Sequence, residues 1–275
     1  MPSTKPIGLF DSGVGGLTVA RELMTQLPQE SFVYFADTGR LPYGERSAEE
    51  IRQYTLEIAH FLAEKQVKMI IIACNTATAL GLEAAQTYVS VPILGVIEPG
   101  AAAAVAATGV GKIGIVGTEA TVRSQAYEKA IHAHDRTIEV ISQGCPRITP
   151  LIEAGKKDTN ELRQAAAEYL SAFADRGIDT LVYGCTHYPL VMDLFQEIVG
   201  DGVTPINPAE TAVQEARKIL EERNLLADTG ASPLYEFFIT GSPEQFTQLG
   251  SSILGIEIAD VIQVPLNNLS RPDLD

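Results

Sequence analysis

Two short stretches of this chain run apolar without alternation and then stop in the same way. Residues 69–78, MIIIACNTAT, end their greasy run at Cys74, Asn75 and Thr76; residues 180–189, TLVYGCTHYP, end theirs at Cys185, Thr186 and His187. A strand with one face in water alternates apolar and polar residues, so an unbroken Ile/Val run requires a strand covered on both faces. That condition is met in parallel sheets sandwiched between helices. The rest of the chain fits it. PIGLF leads into GGLTVARELMTQL, FVYFAD into EEIRQYTLEIAHFLAEK, KIGIVG into SQAYEKAIHAH, and TPIN into TAVQEARKILEER. The pattern predicts a doubly wound α/β fold, in which ligands sit beyond the carboxyl ends of the strands.

The order of these units repeats. PIGLFDSG aligns with KIGIVGTE, FVYFADTG with IEVISQGC, the two cysteine runs with each other, and VPILGVIEPG with VTPINPAE. The offset is 106 residues from Ser12 to Thr118 and 111 from Cys74 to Cys185. A repeat of that length predicts two related α/β domains facing each other in pseudo-two-fold symmetry, each with a cysteine at the tip of its third strand. The strand ends then meet in one cleft, and the two thiols approach one ligand from opposite sides. The second domain is placed at residues 99–208. Residues 1–98 and 209–275 form the first, because the helix and the strand-like EFFITG of the last segment are too little for a third domain.

Charge narrows the partners. The 275 residues carry 20 Lys and Arg against 35 Asp and Glu, a net charge of -15, with no basic run to attract a phosphate backbone. Nucleic acid is not expected as a ligand. No apolar run approaches the roughly 20 residues that span a bilayer, and MPSTKPIGLFDSG lacks the layout of a secretion signal. Only three cysteines are present, which suits a reducing compartment. A cytoplasmic protein with no membrane partner is expected.

The glycines of DSGVGG, with Asp37 ending the next strand, imitate a dinucleotide fingerprint, but Thr18 stands where its last glycine should be. A literal match at residues 109–114 precedes a strand instead of following one, and its first glycines read as a helix end. Polar residues gather at the strand-to-helix turns: Asp11 with Ser12, Asn75 with Thr76, Thr118 with Thr121, Thr186 with His187. Each alone reads as a helix cap. Together they form a ring of helix N-termini, which binds anions such as a small dicarboxylate without lysine or arginine.

Cys145, in SQGCPRI, reads as a small buried hydrophobe. Cys74 and Cys185 are repeat-related and both are expected to open helices, where a thiol's pKa falls from about 8.5 towards neutrality. A zinc site competes with this reading, although Cys185-Thr186-His187 is an unusual ligand spacing and no C-x-x-C occurs. A disulfide is disfavoured if a ligand separates the two thiols. A cysteine hydrolase with His187 as base is the strongest rival, but it leaves Cys74 idle. One thiol on each face of a small ligand suits the inversion of a stereocentre: one removes the Cα proton and the other returns a proton from the opposite side.

In order along most of the chain, GLFDSGVGGLTV, ADTGRLPYG, IIACNTATA, GVIEPG, IGIVGTEATVRS, GCPRITPLIE and YGCTHYPL resemble the glutamate racemases. The resemblance implies a cofactor-independent isomerase, without metal, that interconverts L- and D-glutamate and supplies D-glutamate for peptidoglycan. It implies Cys74 and Cys185 as the acid/base thiols, Asp11 assisting Cys74, and Glu153 and His187 assisting Cys185. Ser12, Tyr43, Gly44, Asn75, Thr76, Thr118, Thr121 and Thr186, with Asp11 and His187, would bind the substrate. A homodimer is expected on the same basis. A racemase of a related amino acid such as aspartate, and a binding protein on the same fold, are the alternatives.

Overall fold

A computed structural model describes residues 4–228, 230 and 232–270. Its first half begins with β1 (Ile7–Asp11), α1 (Leu17–Gln26), β2 (Phe32–Ala36), α2 (Ala48–Glu64), β3 (Met69–Ile72), α3 (Asn75–Tyr88) and β4 (Ile93–Gly95). The second half follows with α4 (Ile97–Ala107), β5 (Lys112–Gly117), α5 (Glu119–Ser124), α6 (Ala126–His134), β6 (Glu139–Gly144), α7 (Ile148–Glu153) and α8 (Asn160–Leu170). It continues through β7 (Thr180–Gly184), α9 (Met192–Val199) and β8 (Thr204–Ile206). The chain then runs through α10 (Pro208–Glu222), β9 (Tyr235–Ile239), α11 (Pro243–Leu254) and β10 (Val261–Gln263).

These strands make two parallel sheets, ordered β10-β9-β2-β1-β3-β4 and β6-β5-β7-β8. The order β2-β1-β3-β4 is reproduced as β6-β5-β7-β8, with every pairing parallel, so the repeat read from the sequence is also a repeat of topology. The last segment adds β9 beside β2 and β10 beside β9, widening the first sheet.

Every residue of β1, β2, β3 and β7 is buried, as their unbroken apolar runs require. On one face of the first sheet Leu9, Tyr34 and Ile71 pack against α1, α10 and α11; on the other, Phe10, Phe35 and Ile72 pack against α2 and α3. Each such side chain contributes about 1.5–3 kcal/mol by leaving water. A sheet with this much apolar cover is a stiff base, and what it holds stiffly is the row of residues at its carboxyl ends.

Local chemistry sets the helix starts. Ser47 and Glu50 form a reciprocal capping box on α2. Thr118 caps α5 through a hydrogen bond from the Thr121 amide, and Asn207 caps α10 with Pro208 at its first position. The helix expected over residues 124–134 is α6; a further short helix, α5, precedes it, and Gln125, with a φ of 56°, separates the two. Among the described residues no helix is long and apolar enough to cross a membrane.

Candidate active site

The tips of β1, β3, β5 and β7 converge between the two halves, and the residues after them line a cavity of about 60 Å³. That is room for a few waters. Both Cys74 and Cys185 line it, one from each half, and each is nearly buried.

Cys74 is itself the N-cap of α3: its sulfur accepts from the Ala77 amide at 3.5 Å, and Ser12 Oγ lies 3.9 Å away. Cys185 is placed differently. The sequence predicts a helix opening at each cysteine, but after β7 the chain passes through His187 into a 3-10 turn at Tyr188–Val191. Only at Met192 does α9 begin, because Pro189 lacks the N–H that a regular helix interior would use. Side chains serve Cys185 instead. His187 Nδ1 is 3.7 Å from its sulfur, and His187 Nε2 is 2.7 Å from Glu153 Oε1. Thr149, one helical turn before Glu153 on α7, brings Oγ1 to 3.4 Å from the same sulfur.

Asp11 is fully buried at the end of β1. It accepts from the amides of Gly13 and Gly16 at 3.2 and 2.9 Å, and the Thr186 hydroxyl donates to it from the other half. Expected to assist Cys74, it reaches that thiol by charge, while Ser12 and Ala77 make the contacts. The DSGVGG glycines have their reason here. A Cβ on Gly15 would stand 2.4 Å from Thr186 Oγ1, and one on Gly13 would stand 2.6 Å from Glu153 Oε1. These glycines let the first half approach the second.

Of the other residues nominated by the sequence, Ser12, Tyr43, Gly44, Asn75, Thr76, Thr118, Thr186 and His187 line the cavity. Thr121 and Glu153 stand behind this wall. Thr76, Thr118 and Thr121 form a triangle of hydroxyls, with Oγ1 atoms 2.9 to 3.1 Å apart, spanning α3 and α5. Asn75 Oδ1 accepts from Tyr127 across the same boundary at 2.7 Å. Tyr43 lines the cavity, and its hydroxyl donates to Asp37. Sequence reasoning missed Thr149 altogether, and it left Cys145 as a plain hydrophobe although Cys145 lines the cavity. The signal for Thr149 was its four-residue spacing from Glu153, which puts both on one face of a helix.

Charge divides the two sides. Burial pushes the Cys74 thiol well up, and the Asp11 carboxylate adds to the shift; the Ala77 amide and Ser12 oppose it without prevailing. The expected fall towards neutrality therefore does not occur at Cys74, because desolvation outweighs one helix N-terminus. Cys145 is likewise pushed up, to about 12, by burial. Burial also raises Asp11, against His187 and the two amides. At His187 burial favours the neutral ring, but Cys185 and Glu153 prevail and hold it well above its ordinary value. Glu153 is held below its ordinary value although burial opposes this, through its hydrogen bond from His187 and that ring's charge. An imidazolium–carboxylate pair thus stands beside Cys185, and a carboxylate beside Cys74. Among the described residues no three His, Cys, Asp or Glu side chains group as a metal site.

A sequence profile of the Asp/Glu/hydantoin racemase family matches residues 16–216. Glutamate racemase of Geobacter metallireducens is 45% identical over 95% of this chain and 97% of its own length. That of Enterococcus faecalis is 44% identical over 97% of this chain and 98% of its own. Among solved structures, a glutamate racemase isoform from Bacillus anthracis superposes with a TM-score of 0.92 at 42% identity, covering 97% of this chain and 99% of that one. Glutamate racemase from Francisella tularensis, solved in complex with D-glutamate, gives 0.90 at 36% identity over 96% of this chain and 98% of that one.

Proposed function

The chain belongs to the Asp/Glu/hydantoin racemase family, and from that premise we propose that it interconverts L- and D-glutamate by proton transfer at Cα between Cys74 and Cys185. One observation carries the reading: two thiols enter one small cavity from the tips of β3 and β7, which hold equivalent places in the two sheets. In each direction one sulfur takes the Cα proton as thiolate, and the other delivers its own proton to the opposite face. Asp11 acts on the Cys74 side; His187, oriented by Glu153, acts on the Cys185 side. Ser12, Tyr43, Gly44, Asn75, Thr76, Thr118 and Thr186 hold the carboxylates and ammonium, with Thr121 supporting Thr76 and Thr118 from behind.

The amino acid's Cα–H is a very weak acid, so the carbanion-like state must be met by fixed dipoles with water excluded. The N-termini of α3 and α5, capped by Cys74 and Thr118, supply such dipoles at the cavity wall. The substrate's ammonium brings a positive charge between the thiols. That charge favours a thiolate which burial and Asp11 otherwise disfavour at Cys74.

Both thiols are buried, and hydrogen bonds tie the two halves together beside them, so glutamate reaches the thiols by movement of the halves. The two units, residues 1–98 with 209–275 and residues 99–208, therefore open and close about each turnover. The Thr76–Thr118 and Asn75–Tyr127 bonds are among those that part. The same reading takes the protein as a cytoplasmic homodimer that needs no cofactor, binds no nucleic acid, and supplies D-glutamate for peptidoglycan.

Early turnover of L-glutamate in deuterium oxide tests the two-sided geometry. The thiol facing the far side carries a solvent deuteron, so nearly every D-glutamate formed should bear deuterium at Cα, read by mass spectrometry. Substantial protium in early D-glutamate would show one base serving both faces and would sink the proposal.

A further inference from the structure

We propose that Thr149 is a positioning residue for the second thiol: its hydroxyl, 3.4 Å from Cys185 Sγ, follows the proton state of that sulfur and stabilises its thiolate. The inference rests on Cys185 being an acid/base thiol. A hydroxyl both donates and accepts, and its hydrogen rotates to suit. When Cys185 is protonated its S–H points to Oγ1; when it is ionised the Thr149 O–H turns and donates to the sulfur. Such a hydroxyl suits a thiol that alternates between acid and base, whereas a fixed donor favours one state alone.

The placement is deliberate in the chain. Thr149 and Glu153 sit one turn apart on α7, so this single short helix delivers the hydroxyl to Cys185 directly and the carboxylate to it through His187. Thr149 also lies against the Tyr188 hydroxyl, whose own bonds run to the carbonyls of Gly117 and Cys145. Cys74, the repeat-related thiol, has no helix of this kind against it: its nearest hydroxyl, Ser12, is 3.9 Å away.

The groups whose charge Cys185 meets are His187 from its own loop, Cys74 from α3, Cys145 from the turn before α7, Tyr127 from α6 and Tyr188 from the 3-10 turn, with Glu153 acting on His187 from α7. Thr149→Val leaves all of these side chains in place and removes one hydroxyl; among them only Tyr188 also loses a bond, while its bonds to the Gly117 and Cys145 carbonyls remain.

L- and D-glutamate have equal free energies, so kcat/KM must fall equally in both directions for any variant. The discriminating measurements are therefore the pH profile and the conservative rescue. Thr149→Val should lower kcat/KM by about tenfold at neutral pH, as expected for the loss of one bond to a charged sulfur. It should also move the acid limb of the kcat/KM profile to higher pH, because the thiolate has lost a donor. Thr149→Ser should restore both. In the Cys74→Ser/Cys145→Ser background, the pH midpoint of Cys185 alkylation by iodoacetamide, followed by mass, should rise with Thr149→Val and return with Thr149→Ser. An unmoved acid limb and midpoint, or a Thr149→Ser variant as impaired as Thr149→Val, would overturn the proposal. A fully active Cys185→Ser enzyme would instead overturn the acid/base reading on which it rests.

Discussion

The two halves share a strand order but not a way of treating a sulfur. On the first side, Cys74 closes its strand and caps the 14-residue α3, so the Ala77 amide answers it, with Ser12 at 3.9 Å and the Asp11 carboxylate near by. On the second, the chain turns through a 3-10 segment, and Thr149, His187 and Glu153 surround Cys185 with side-chain donors and a charge pair. What the repeat conserves is position: the third strand of each sheet delivers a thiol to the common cavity. What it leaves free is the electrostatics around each thiol. Racemisation needs the first to be equivalent and tolerates difference in the second, since the proton must leave one face and arrive on the other.

Serine in place of either cysteine is the severest way to break this comparison. A hydroxyl is far too weak an acid to serve as the base near neutral pH, so Cys74→Ser and Cys185→Ser should each lose on the order of 10²–10⁴ in turnover. Cys145→Ser should keep turnover, although Cys145 lines the same cavity. Steady-state formation of D-glutamate from L-glutamate checks all three. An inactive, folded Cys145→Ser beside an active Cys74→Ser would end the equivalence of the two strand tips.

The equivalence itself was readable from the chain. Short Val/Ile-rich apolar runs that alternate with helical segments suit doubly covered strands, and their spacing exposes the duplication. The differences were not readable, because they depend on where neighbouring segments land. Nothing in THYPL says that Pro189 turns the helix start into a 3-10 segment displaced from Cys185. Thr149 gains its meaning only when α7 is laid beside β7 and its hydroxyl comes to Cys185. Thr121 belongs to the polar ring in sequence, yet one turn of α5 carries it behind Thr118 and Thr76. Asp37, which imitates a ribose-binding acid, is taken up by Arg40, Tyr43 and Thr240, the last of these 203 residues away in the chain.

Charge reversal between the sides gives a smaller, sharper test. Glu153 is held below its ordinary 4.5, so its contribution to stability is present above that pH and is lost as pH falls through the lowered value. His187 is held above its ordinary 6.5, so its contribution is full below that pH and is lost as pH rises through the raised value. Both are therefore in force together between those ordinary values. There Glu153→Gln should cost about 2 kcal/mol, because a neutral amide oxygen replaces the charged acceptor of the buried imidazolium. Asp11 runs the other way. Its value is raised by burial, so its ionisation costs stability as pH rises through it, and Asp11→Asn should gain on the wild type over that rise. Urea midpoints at about pH 3.5 and about pH 6 check both signs. Parallel pH trends in the two variants would erase the electrostatic difference between the sides.

Tyr43→Phe is expected to have the smallest effect and bears on the first side alone. Tyr43 is buried in the cavity wall, where a tyrosine hydroxyl would ordinarily be credited with holding substrate. Here the hydroxyl donates to Asp37 Oδ2, the oxygen that also accepts from Arg40 Nε at 2.6 Å. Thr240 donates to the other oxygen at 2.8 Å, Arg40 continues to Glu57, and its guanidinium lies 4.0 Å over the Tyr54 ring. The network pins the Leu41–Glu45 turn from behind, and Gly44 of that turn packs against the Thr118 side chain of the other half. Phenylalanine keeps both the ring and the backbone of Tyr43. Removing the hydroxyl leaves Asp37 with two of its three side-chain donors, so stability should fall by about 1 kcal/mol, the value of one hydrogen bond. KM and kcat should stay near those of the wild type. A large rise in KM with stability unchanged would mean that the hydroxyl leaves Asp37 for the substrate, and the Cys74 side would then depend on side-chain donors as the Cys185 side does.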